Sequence, residues 1–353
     1  MDGSLVLPQP RTAMVQVTTP APRDVWRSIA SADPNALVFQ TPEWTDCIRA
    51  VDGSEDASRL YEFADGASMV LPMVRNRRLG GLLTSSASLP MNWGMGGLVG
   101  TSPVTPTHTA AVFQDLAAQN DVQTHIYVDP LQSAAWAGGR PRGAIAIPRA
   151  CHVLSLDGGF GAVWKERFSG QTRNHVRKAE RSGISVESDS TGRLIPVFYD
   201  LFSRSIERWA RQQHEPLPMA RWRAARRDPL RKFQLIAREM QGVCKVWAAY
   251  KDGQPAAATV ILQGNNASYM WGAMDKGIVA GTHANELLHS LAIEEACAAG
   301  CAHYHMGESG ESRALAHFKE RFGARPYRYA EYRLEKFPIT RVDRAVRGFG
   351  KRL

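Results

Sequence analysis

The sequence has too few cysteines, too widely spaced, for a disulfide-bonded or zinc-binding scaffold. Its five cysteines are scattered and include no C-x-x-C pair, which argues against a disulfide framework and a zinc ribbon. No stretch approaches the roughly 18 consecutive apolar residues of a transmembrane helix. The first residues also lack the basic and apolar segments of a signal peptide. We therefore expect buried free thiols, no membrane span and a cytoplasmic location.

Motifs of several common enzyme classes are also missing. The sequence has no G-x-x-x-x-G-K-[ST] phosphate loop and no dinucleotide-binding fingerprint. The stretch GESG at residues 307–310 differs from the G-x-S-x-G elbow of hydrolases. His303 and His305 point to one side of a predicted strand, but no third ligand follows at a useful spacing. We expect neither a nucleotide-binding loop, nor a hydrolase serine, nor a metal site.

Net positive charge is absent from the first half of the chain. The first 154 residues carry 11 Arg, no Lys and 13 acidic residues, whereas the remainder carries 32 basic and 21 acidic residues. The net charge of +9 therefore resides in the second half. A basic half of this size favours a polyanionic partner, either RNA or a phosphate-rich cofactor such as coenzyme A. The alternative is an ordinary solvated, arginine-rich surface.

One pattern of hairpin, helix and strand occurs twice. Runs of β-forming residues flank Asp-Gly dipeptides at 65–66 and at 252–253, 187 positions later, and Asp-Gly favours a tight hairpin turn. A predicted helix and a predicted strand follow in each half, the helices spanning 105–120 and 283–299. The repeat predicts two tandem mixed domains, which should pack closely because no low-complexity linker separates them.

Basic residues concentrate in two stretches of the second half. A helix predicted over 168–182 has arginines every four residues along one flank, and the stretch 204–232 mixes nine basic residues with two tryptophans. Such a mixture fits phosphate contacts together with stacking on unpaired bases. The alternative is a charged outer face whose tryptophans turn to the core. The predicted tRNA-binding residues are Arg173, Arg177, Lys178, Arg181, Arg223, Arg226 and Arg227.

A lysine lies on the apolar side of the amphipathic stretch at residues 312–322. If residues 312–322 form a helix at roughly 100° per residue, Leu315, Phe318 and Phe322 share one apolar arc. Lys319 falls toward the same side of that helix. The ordinary explanation is a lysine whose methylenes cover apolar surface while its ammonium reaches water. The functional alternative is a desolvated ammonium at a cleft, where it could hold a phosphate or an oxyanion.

The order of these segments resembles the Fem family of aminoacyl-tRNA-dependent transferases and their relatives in the GNAT acyltransferase superfamily. Four segments resemble the second domain of that family: SGQTRNHVRKAERSG, the second Asp-Gly hairpin, NELLHSLAIEEACAAGCAHYHMGES and ALAHFKERFGARPYRY. TPEWTDC, VLPMVRN and SLPMNWGMGGLVG resemble its first domain. The resemblance extends from residue 39 to residue 335, which is nearly the whole chain.

The resemblance implies an α/β protein of two tandem GNAT-like domains, each with a mixed, mostly antiparallel sheet flanked by helices. We place a first, acceptor-side domain at 14–154 and a second, catalytic and basic domain for the donor and its tRNA at 155–337. A basic C-terminal helix is predicted over 338–353. The implied reaction needs no bound cofactor. The amine of a small molecule or cell-wall precursor attacks the ester of an aminoacyl-tRNA and forms an amide.

The resemblance also implies which residues act. The family has a phenylalanine-lysine pair at its active site, and the matching pair is Phe318 and Lys319. An ester is already activated, so positioning the amine and stabilising the tetrahedral oxyanion could supply most of the catalysis. Lys319 would then stabilise the oxyanion or hold a substrate phosphate. Both roles stay open at this point.

Further candidates surround the presumed cleft. Glu286 is a carboxylate that could act as a base toward an ammonium acceptor. Two of the candidate substrate-binding residues precede a glycine-rich run in the first half, where the backbone could approach a ligand closely, and three flank the cleft of the second domain. These five are Asn92, Trp93, Tyr269, Trp271 and Asn285.

Two alternatives to tRNA-dependent transfer remain. Acetyl-CoA-using members of the superfamily place [QR]-x-x-G-x-[GA] before the helix that receives the pyrophosphate. Here residues 276–281 read KGIVAG, with Val279 where the central glycine should be. An N-acyltransferase that uses acetyl-CoA or another acyl-CoA on the same fold is the first alternative. A catalytically inactive RNA-binding module is the second.

Overall fold

The structure is a computed structural model that describes residues 14–78, 83–338 and 340. Within these residues no helix is long and apolar enough to cross a membrane. The cysteines are free thiols, and all but the half-buried Cys297 are buried, as the sequence predicts. The helix predicted over 338–353 lies outside the described residues, apart from 338 and 340.

The α-helices lie mostly on the two faces of a long sheet. They are α1 (Arg23–Ala32), α2 (Pro42–Asp52), α3 (Pro106–Ala117), α4 (Ser133–Gly139), α5 (Gly159–Ala162), α6 (Gly170–Arg181), α7 (Ile195–Gln212), α8 (Leu217–Arg227), α9 (Leu230–Glu239), α10 (Lys276–Val279), α11 (Ala284–Ala298) and α12 (Arg313–Glu320).

The strands form two sheets. They are β1 (Met14–Thr18), β2 (Glu55–Asp56), β3 (Arg59–Phe63), β4 (Ser68–Leu71), β5 (Val74–Arg78), β6 (Leu83–Ala87), β7 (Val99–Gly100), β8 (Gln123–Ile126), β9 (Ile145–Ser155), β10 (Ile184–Asp189), β11 (Cys244–Lys251), β12 (Gln254–Gln263), β13 (Ala267–Met274), β14 (His303–Glu308) and β15 (Arg325–Glu335).

One sheet of eleven strands runs through both halves of the chain. Its order is β10-β11-β12-β13-β14-β9-β15-β8-β6-β5-β2, and a smaller sheet has the order β1-β3-β4-β7. In the larger sheet each half contributes one parallel pair, β6 with β8 and β13 with β14, and the other pairs are antiparallel. This is the mixed, mostly antiparallel architecture that the sequence predicts, fused into one continuous sheet.

Both predicted Asp-Gly hairpins are confirmed, and each uses its dipeptide differently. Between β11 and β12, Asp252 and Gly253 both have positive φ values, 49° and 76°, as a two-residue type I′ turn requires. Between β3 and β4 only Gly66 is left-handed, with φ 85°. Asp65 instead accepts a hydrogen bond from the amide of Ala67. The two dipeptides therefore close two different tight turns.

Side-chain caps mark the starts of three helices. Thr41, Ser169 and Ser312 each precede a helix and accept a hydrogen bond from a backbone amide of its first turn, which satisfies a donor that the helix leaves free. The second repeated helix, α11, ends before Gly300, whose φ of 79° fits a left-handed position after a helix.

An apolar cluster joins the two halves. Trp44 and Trp93 of the first half pack in it with Phe198, Phe233 and Val260 of the second. The ring centroids of Trp44 and Trp93 lie 5.6 Å apart in an edge-to-face arrangement. Burying a large apolar side chain stabilises a fold by about 1.5–3 kcal/mol, so this shared cluster holds the halves together firmly. The expectation of close packing is confirmed.

The last described strand crosses the predicted boundary between the domains. Strand β15 pairs with β9 along residues 325–333 and with β8 along residues 332–335. Both partners come from the first half of the chain, and β9 also pairs with β14 of the second half. The division at residues 154 and 155 stays a prediction, because the sheet is continuous on both sides of it.

Candidate active site

The crevice at the centre of the site lies where two parallel strands separate. β13 and β14 pair only through Ala267 with Tyr304 and Ser268 with His305, so their carboxyl ends are unpaired with each other. Crevices at the carboxyl ends of neighbouring strands are common ligand sites in α/β sheets. Gly307 has a φ of 73° and bends β14 at this point. The two strands therefore diverge before residues 307–308, and the gap between their ends is called the crevice below.

Helix α12 carries Lys319 into this region and buries it. Lys319 is 1% exposed and is the buried residue of α12. Its Nζ donates hydrogen bonds to the carbonyl oxygens of Gly307, at 2.9 Å, and Glu308, at 2.8 Å. The explanation of a lysine whose ammonium reaches water is therefore wrong. Two of the three donors of the ammonium fix the end of β14.

The apolar arc predicted for α12 is only partly correct. Phe322 is buried, but Leu315 is 39% exposed, and Phe318 is half-buried. The reason is that α12 touches the rest of the molecule near its C-terminal end, where Phe318 and Phe322 pack with their ring centroids 5.3 Å apart. The residue that the helix buries most completely is the charged one.

The ammonium of Lys319 is desolvated. Burial lowers its pKa to about 8, against the opposing effect of Cys151 and Glu308, which favour the charged form. Lys319 therefore stays mainly cationic at neutral pH in a site of low dielectric. An ammonium in such surroundings stabilises a neighbouring negative charge more strongly than it would in water.

A carboxylate that the sequence analysis did not select lies beside Lys319. The Tyr329 hydroxyl donates a hydrogen bond to Oε1 of Glu308, and Nη1 of Arg149 lies 3.5 Å from Oε2. The Glu308 side chain is 37% exposed, so it can meet a substrate. Arg149 also binds the buried Glu331, which holds the guanidinium in place.

Strand pairing explains why sequence spacing could not reveal this group. Glu308 lies opposite Cys151 on β9, and Arg149 lies opposite Tyr329 on β15. Arg149 is thus brought to Glu308 by two long-range pairings, and nothing local marks it. The available signal was that Glu308 directly follows the strand predicted for residues 302–307.

A histidine borders the site on the side of α12. His152 Nδ1 lies 3.2 Å from the Ser309 hydroxyl, and Nε2 lies 3.6 Å from the Glu320 carboxylate. Burial, together with the charge of Lys319, lowers the pKa of His152. A neutral imidazole next to Lys319 can accept a proton as well as orient a hydroxyl group.

Aromatic rings line the other side of Lys319. The predicted pair partner, Phe318, lies with its ring centroid 5.6 Å from His289, and His289 lies 4.7 Å from the ring of Tyr269. Tyr269 was predicted to bind substrate and is half-buried in this wall. Phe318 and Tyr269 thus both pack against His289, and their role toward a substrate stays a prediction.

Glu286, the predicted base, is separately engaged. Its Oε1 lies 3.0 Å from Nδ1 of His175, 3.7 Å from Nδ1 of His283 and 3.5 Å from Nη2 of Arg321. Only 11% of the Glu286 side chain is exposed. The neighbouring Asn285 directs its amide toward the sulfur of Met274. Because so little of it is exposed, the Glu286 carboxylate is poorly placed to meet a substrate.

Three predicted substrate-binding residues surround a lysine of the protein itself. Nζ of Lys232, 1% exposed, lies 4.1 Å from the ring centroid of Trp93 and 5.4 Å from that of Trp271. It donates to the carbonyl oxygen of Asn92 at 3.3 Å and to Asp228 at 3.0 Å. Asn92, Trp93 and Trp271 thus contact a buried ammonium from α9, which joins the two halves here. Their role in substrate binding stays a prediction.

The first basic stretch has one structural arginine and three exposed cations. Arg173 donates to the carbonyl oxygens of Trp164 and Phe168, which closes the turn before α6. Arg177, Lys178 and Arg181 are exposed on α6. The Arg177 guanidinium lies 5.7 Å from the Trp164 ring centroid.

The second basic stretch exposes a tryptophan. Arg223 is paired with Glu215, and Arg227 is paired with Asp228. Arg226 lies 5.2 Å from the ring centroid of Trp222, and Trp222 is 61% exposed. Trp222 does not turn to the core, contrary to the alternative considered for this stretch.

Comparisons with known proteins bear on the fold of the chain. Residues 166–327 match the family model of the acetyltransferase (GNAT) domain. A comparison with curated proteins by sequence gives no match. The crystal structure of FemX is similar to this chain with a TM-score of 0.68 at 11% identity, covering 91% of this chain and 97% of that one.

Two more solved structures are similar over most of their length. A conserved protein of unknown function from Bacteroides thetaiotaomicron has a TM-score of 0.52 at 10% identity, covering 88% of this chain and 95% of that one. A tandem GNAT protein from the clavulanic acid biosynthesis pathway has a TM-score of 0.45 at 14% identity, covering 89% and 94%. The chain has a Fem-like GNAT fold, as its motifs predict.

Proposed function

We propose that the protein moves an aminoacyl group from aminoacyl-tRNA to the amine of a small molecule or cell-wall precursor and so forms an amide bond. The observation that carries this proposal is the desolvated ammonium of Lys319, which donates to the backbone carbonyl of Glu308. The carboxylate of Glu308 is accessible, at the open end of β14 in a Fem-like fold. A cation for a developing oxyanion and a base for an ammonium are the two groups that the reaction needs.

The chemistry balances with these two groups. Glu308 takes a proton from the acceptor ammonium, and the free amine attacks the ester carbonyl carbon. As the carbon–nitrogen bond forms, the negative charge on the carbonyl oxygen meets the remaining donor of Lys319. Collapse of this intermediate breaks the ester bond, and the proton passes from Glu308 to the departing ribose oxygen. The regenerated carboxylate then takes the extra proton from the new amide nitrogen and releases it to solvent. Glu308 thus replaces Glu286 as the proposed base.

The basic surface of the second half supports an RNA donor. Arg177, Lys178 and Arg181 on α6 present three exposed cations, and α8 presents Trp222 and Arg226. Exposed aromatic rings next to arginines are suited to unpaired bases and their phosphates. In this proposal the region 155–337 receives the donor, and the region 14–154 receives the acceptor.

The second candidate is an acyl-CoA-dependent N-acyltransferase. The match of residues 166–327 to the GNAT acetyltransferase model favours it, and Lys319 and Glu308 could perform the same proton transfer and oxyanion stabilisation on a thioester. The stretch 276–281, with Val279 in place of a glycine, argues against it.

Incubation with candidate amines and either an aminoacylation mixture or acyl-CoA separates the two candidates. We expect new amide product with charged tRNA, and none after RNase treatment or with acyl-CoA alone. Product that survives RNase and requires a CoA thioester would replace the first candidate by the second.

Replacing Glu308 tests the proposed base. Glu308→Gln keeps the side-chain shape but cannot accept the proton, so we expect kcat/KM to fall by about 100-fold. An acceptor with a less basic amine should be affected less, because more of it is already deprotonated. The matched control is Glu311→Gln, an exposed glutamate just beyond β14, which should retain activity. Wild-type turnover by Glu308→Gln would exclude this role.

A further inference from the structure

A second cavity lies between loops of the first half and the start of β14. Its volume is about 540 Å³, and its wall is formed by His303 and by parts of the segments 32–35, 100–104 and 129–135. Strand β14 is antiparallel to β9, β9 to β15, and β15 to β8, so β8 and β14 run in opposite directions. Asp129, after the end of β8, therefore lies at the edge of the sheet where β14 begins, whereas Glu308 lies at the other edge. The cavity is distinct from the crevice.

A carboxyl group in the wall of this cavity lacks a partner. Asp129 is 0% exposed. Its Oδ1 accepts a hydrogen bond from the amide of Leu131 at 2.9 Å, but its Oδ2 has no hydrogen-bond partner in the described part of the chain. Buried polar groups in folded proteins are nearly always hydrogen-bonded. An ionised Oδ2 would need a donor and a protonated one an acceptor, so the protein satisfies neither state of Asp129.

The other groups of the wall favour a positively charged partner for this oxygen. Asp33 lines the same cavity, and its two carboxylate oxygens accept hydrogen bonds from the amides of Asn35, at 2.9 Å, and Gly100, at 3.1 Å. Burial, together with the charge of Asp33, raises the pKa of Asp129 to about 7. No lysine or arginine is among the described residues of the wall. The cavity is therefore acidic.

His303 adds a second free polar atom. Its Nδ1 is buried and has no hydrogen-bond partner among the described residues. Burial lowers the pKa of His303, which favours a neutral ring, and one nitrogen of a neutral imidazole accepts hydrogen bonds. The acidic cavity thus combines carboxyl groups with a neutral ring, a set that suits a ligand with several N–H donors.

We propose that the acidic cavity binds a small primary amine, whose ammonium group pairs with Oδ2 of Asp129. An ammonium group has the opposite charge to both carboxylates and carries three N–H donors, so it can bond to Asp129 and still donate to other groups of the wall. A buried carboxylate that is paired in this way no longer lacks a donor.

A metal ion fits this cavity less well than an ammonium group. Both oxygens of Asp33 already accept hydrogen bonds from the backbone. In the part of the chain that the structure describes, carboxylate and imidazole groups close enough to share an ion are those of His175, His283 and Glu286, outside this cavity.

Titration of the full chain with n-butylamine tests the site, with uncharged n-butanol as the matched probe. Saturation-transfer NMR measures both affinities without tRNA or turnover, so the result does not depend on the proposed transfer reaction. We expect n-butylamine to bind at least about ten-fold more tightly than n-butanol at pH 8. The net charge of +9 opposes unspecific binding of a cation.

Asp129→Asn is the test variant, because the amide oxygen can still accept the hydrogen bond from Leu131 while the charge is lost. We expect it to bind n-butylamine at least about ten-fold more weakly than the wild type. The matched control is Asp24→Asn, which removes an exposed carboxylate from the first turn of α1 and should leave the affinity unchanged.

The pH dependence of binding gives a second readout on the wild type. The titratable groups in the described wall are Asp33, Asp129 and His303. Asp129 must lose its proton to pair with the ammonium, so the affinity should fall about ten-fold from pH 8 to pH 6. This fall should be absent in Asp129→Asn.

Three outcomes would overturn the inference. The first is a wild type that binds n-butylamine no more tightly than n-butanol, or binds neither. The second is a folded Asp129→Asn protein with the affinity of the wild type. The third is a wild-type affinity that stays the same between pH 8 and pH 6.

Discussion

Lys319 destabilises the fold at neutral pH, because a buried ammonium has lost its hydration. Its pKa of about 8 records that loss. Two backbone carbonyl groups compensate for part of it. Buried charges with shifted pKa values concentrate at functional sites, so the residue is better explained by chemistry than by stability.

Replacing Lys319 should therefore separate activity from stability. Lys319→Met removes the charge but keeps the length of the side chain. We expect kcat/KM to fall at least about 100-fold, as for the loss of an oxyanion donor. The free energy of unfolding should change by less than about 1.5 kcal/mol, because lost hydrogen bonds offset the relieved desolvation.

Lys251→Met is the matched control, because the Lys251 ammonium also donates to a backbone carbonyl, that of Ser182 at 2.8 Å. This variant should keep its activity. A Lys319→Met protein that folds normally and turns over at the wild-type rate would remove Lys319 from the mechanism.

Buried histidines predict a loss of stability in acid. Burial lowers the pKa values of His289 and His305 to about 3, and that of His125 to about 4, against roughly 6.5 in an unfolded chain. Between these values the unfolded state binds more protons, so the free energy of unfolding falls as the pH decreases. Lowering the pH from 7 to 5 should decrease the free energy of unfolding by up to about 2 kcal/mol for each histidine.

Urea titrations at pH 7 and pH 5 measure this loss. His305 has both ring nitrogens buried without a hydrogen-bond partner in the described part of the chain. His305→Met should therefore lose less stability on acidification than the wild type. If His305→Met and the wild type lost the same free energy of unfolding between pH 7 and pH 5, the contribution assigned to His305 would be wrong.

Individual helices and turns were predictable because their signals are local. The hairpins follow from an Asp-Gly dipeptide, and α2, α6 and α12 each start at a serine or threonine that caps the first turn. The depth at which a helix packs is not local. The burial of Lys319 and the exposure of Leu315 depend on where α12 meets β9 and β14, which no helical wheel contains.

Helix α6 gives the element-scale prediction. The double variant Arg177→Gln, Arg181→Gln removes two exposed cations without touching the structural contacts of Arg173. We expect this double variant to bind tRNA more weakly. The slope of log affinity against log salt should become shallower by about 1.5, because binding with two fewer phosphate contacts releases fewer counterions.

The control for α6 is Arg27→Gln, Arg49→Gln, which removes the same charge from exposed positions of the first half. Filter binding or fluorescence anisotropy at several salt concentrations measures the slope. Equal losses in both double variants would mean that total charge matters and that α6 is not the binding surface.

At the scale of the whole molecule, the sequence indicates two similar halves, but it does not indicate that one sheet continues through both. The two Asp-Gly hairpins and the two long helices indicate two similar halves. The pairing of β9 with both β14 and β15, and the contact of Arg149 with Glu308, join residues far apart in sequence. Such pairings depend on the assembled sheet, so motif spacing cannot reveal them.

Lys232 tests how firmly the halves are joined. Lys232→Ala leaves the buried Asp228 paired with Arg227 and empties the space between Trp93 and Trp271. We expect the free energy of unfolding to fall by about 3 kcal/mol. Denaturant unfolding should show a single transition, because one sheet and one apolar cluster span both halves.

The control for Lys232 is Lys245→Ala, which breaks a half-buried ion pair with Glu295 and should cost less than about 1 kcal/mol. Two resolved transitions in either protein would contradict the view of one cooperative unit.

The position of β15 has a consequence for how the chain folds during translation. Strands β8 and β9 emerge from the ribosome early, but the strand that lies between them ends at Glu335. One edge of β8 and one edge of β9 therefore stay unpaired until nearly all of the described chain has been synthesised. Exposed edges favour pairing with other chains, so slow elongation near residues 325–335 should increase aggregation of the nascent protein.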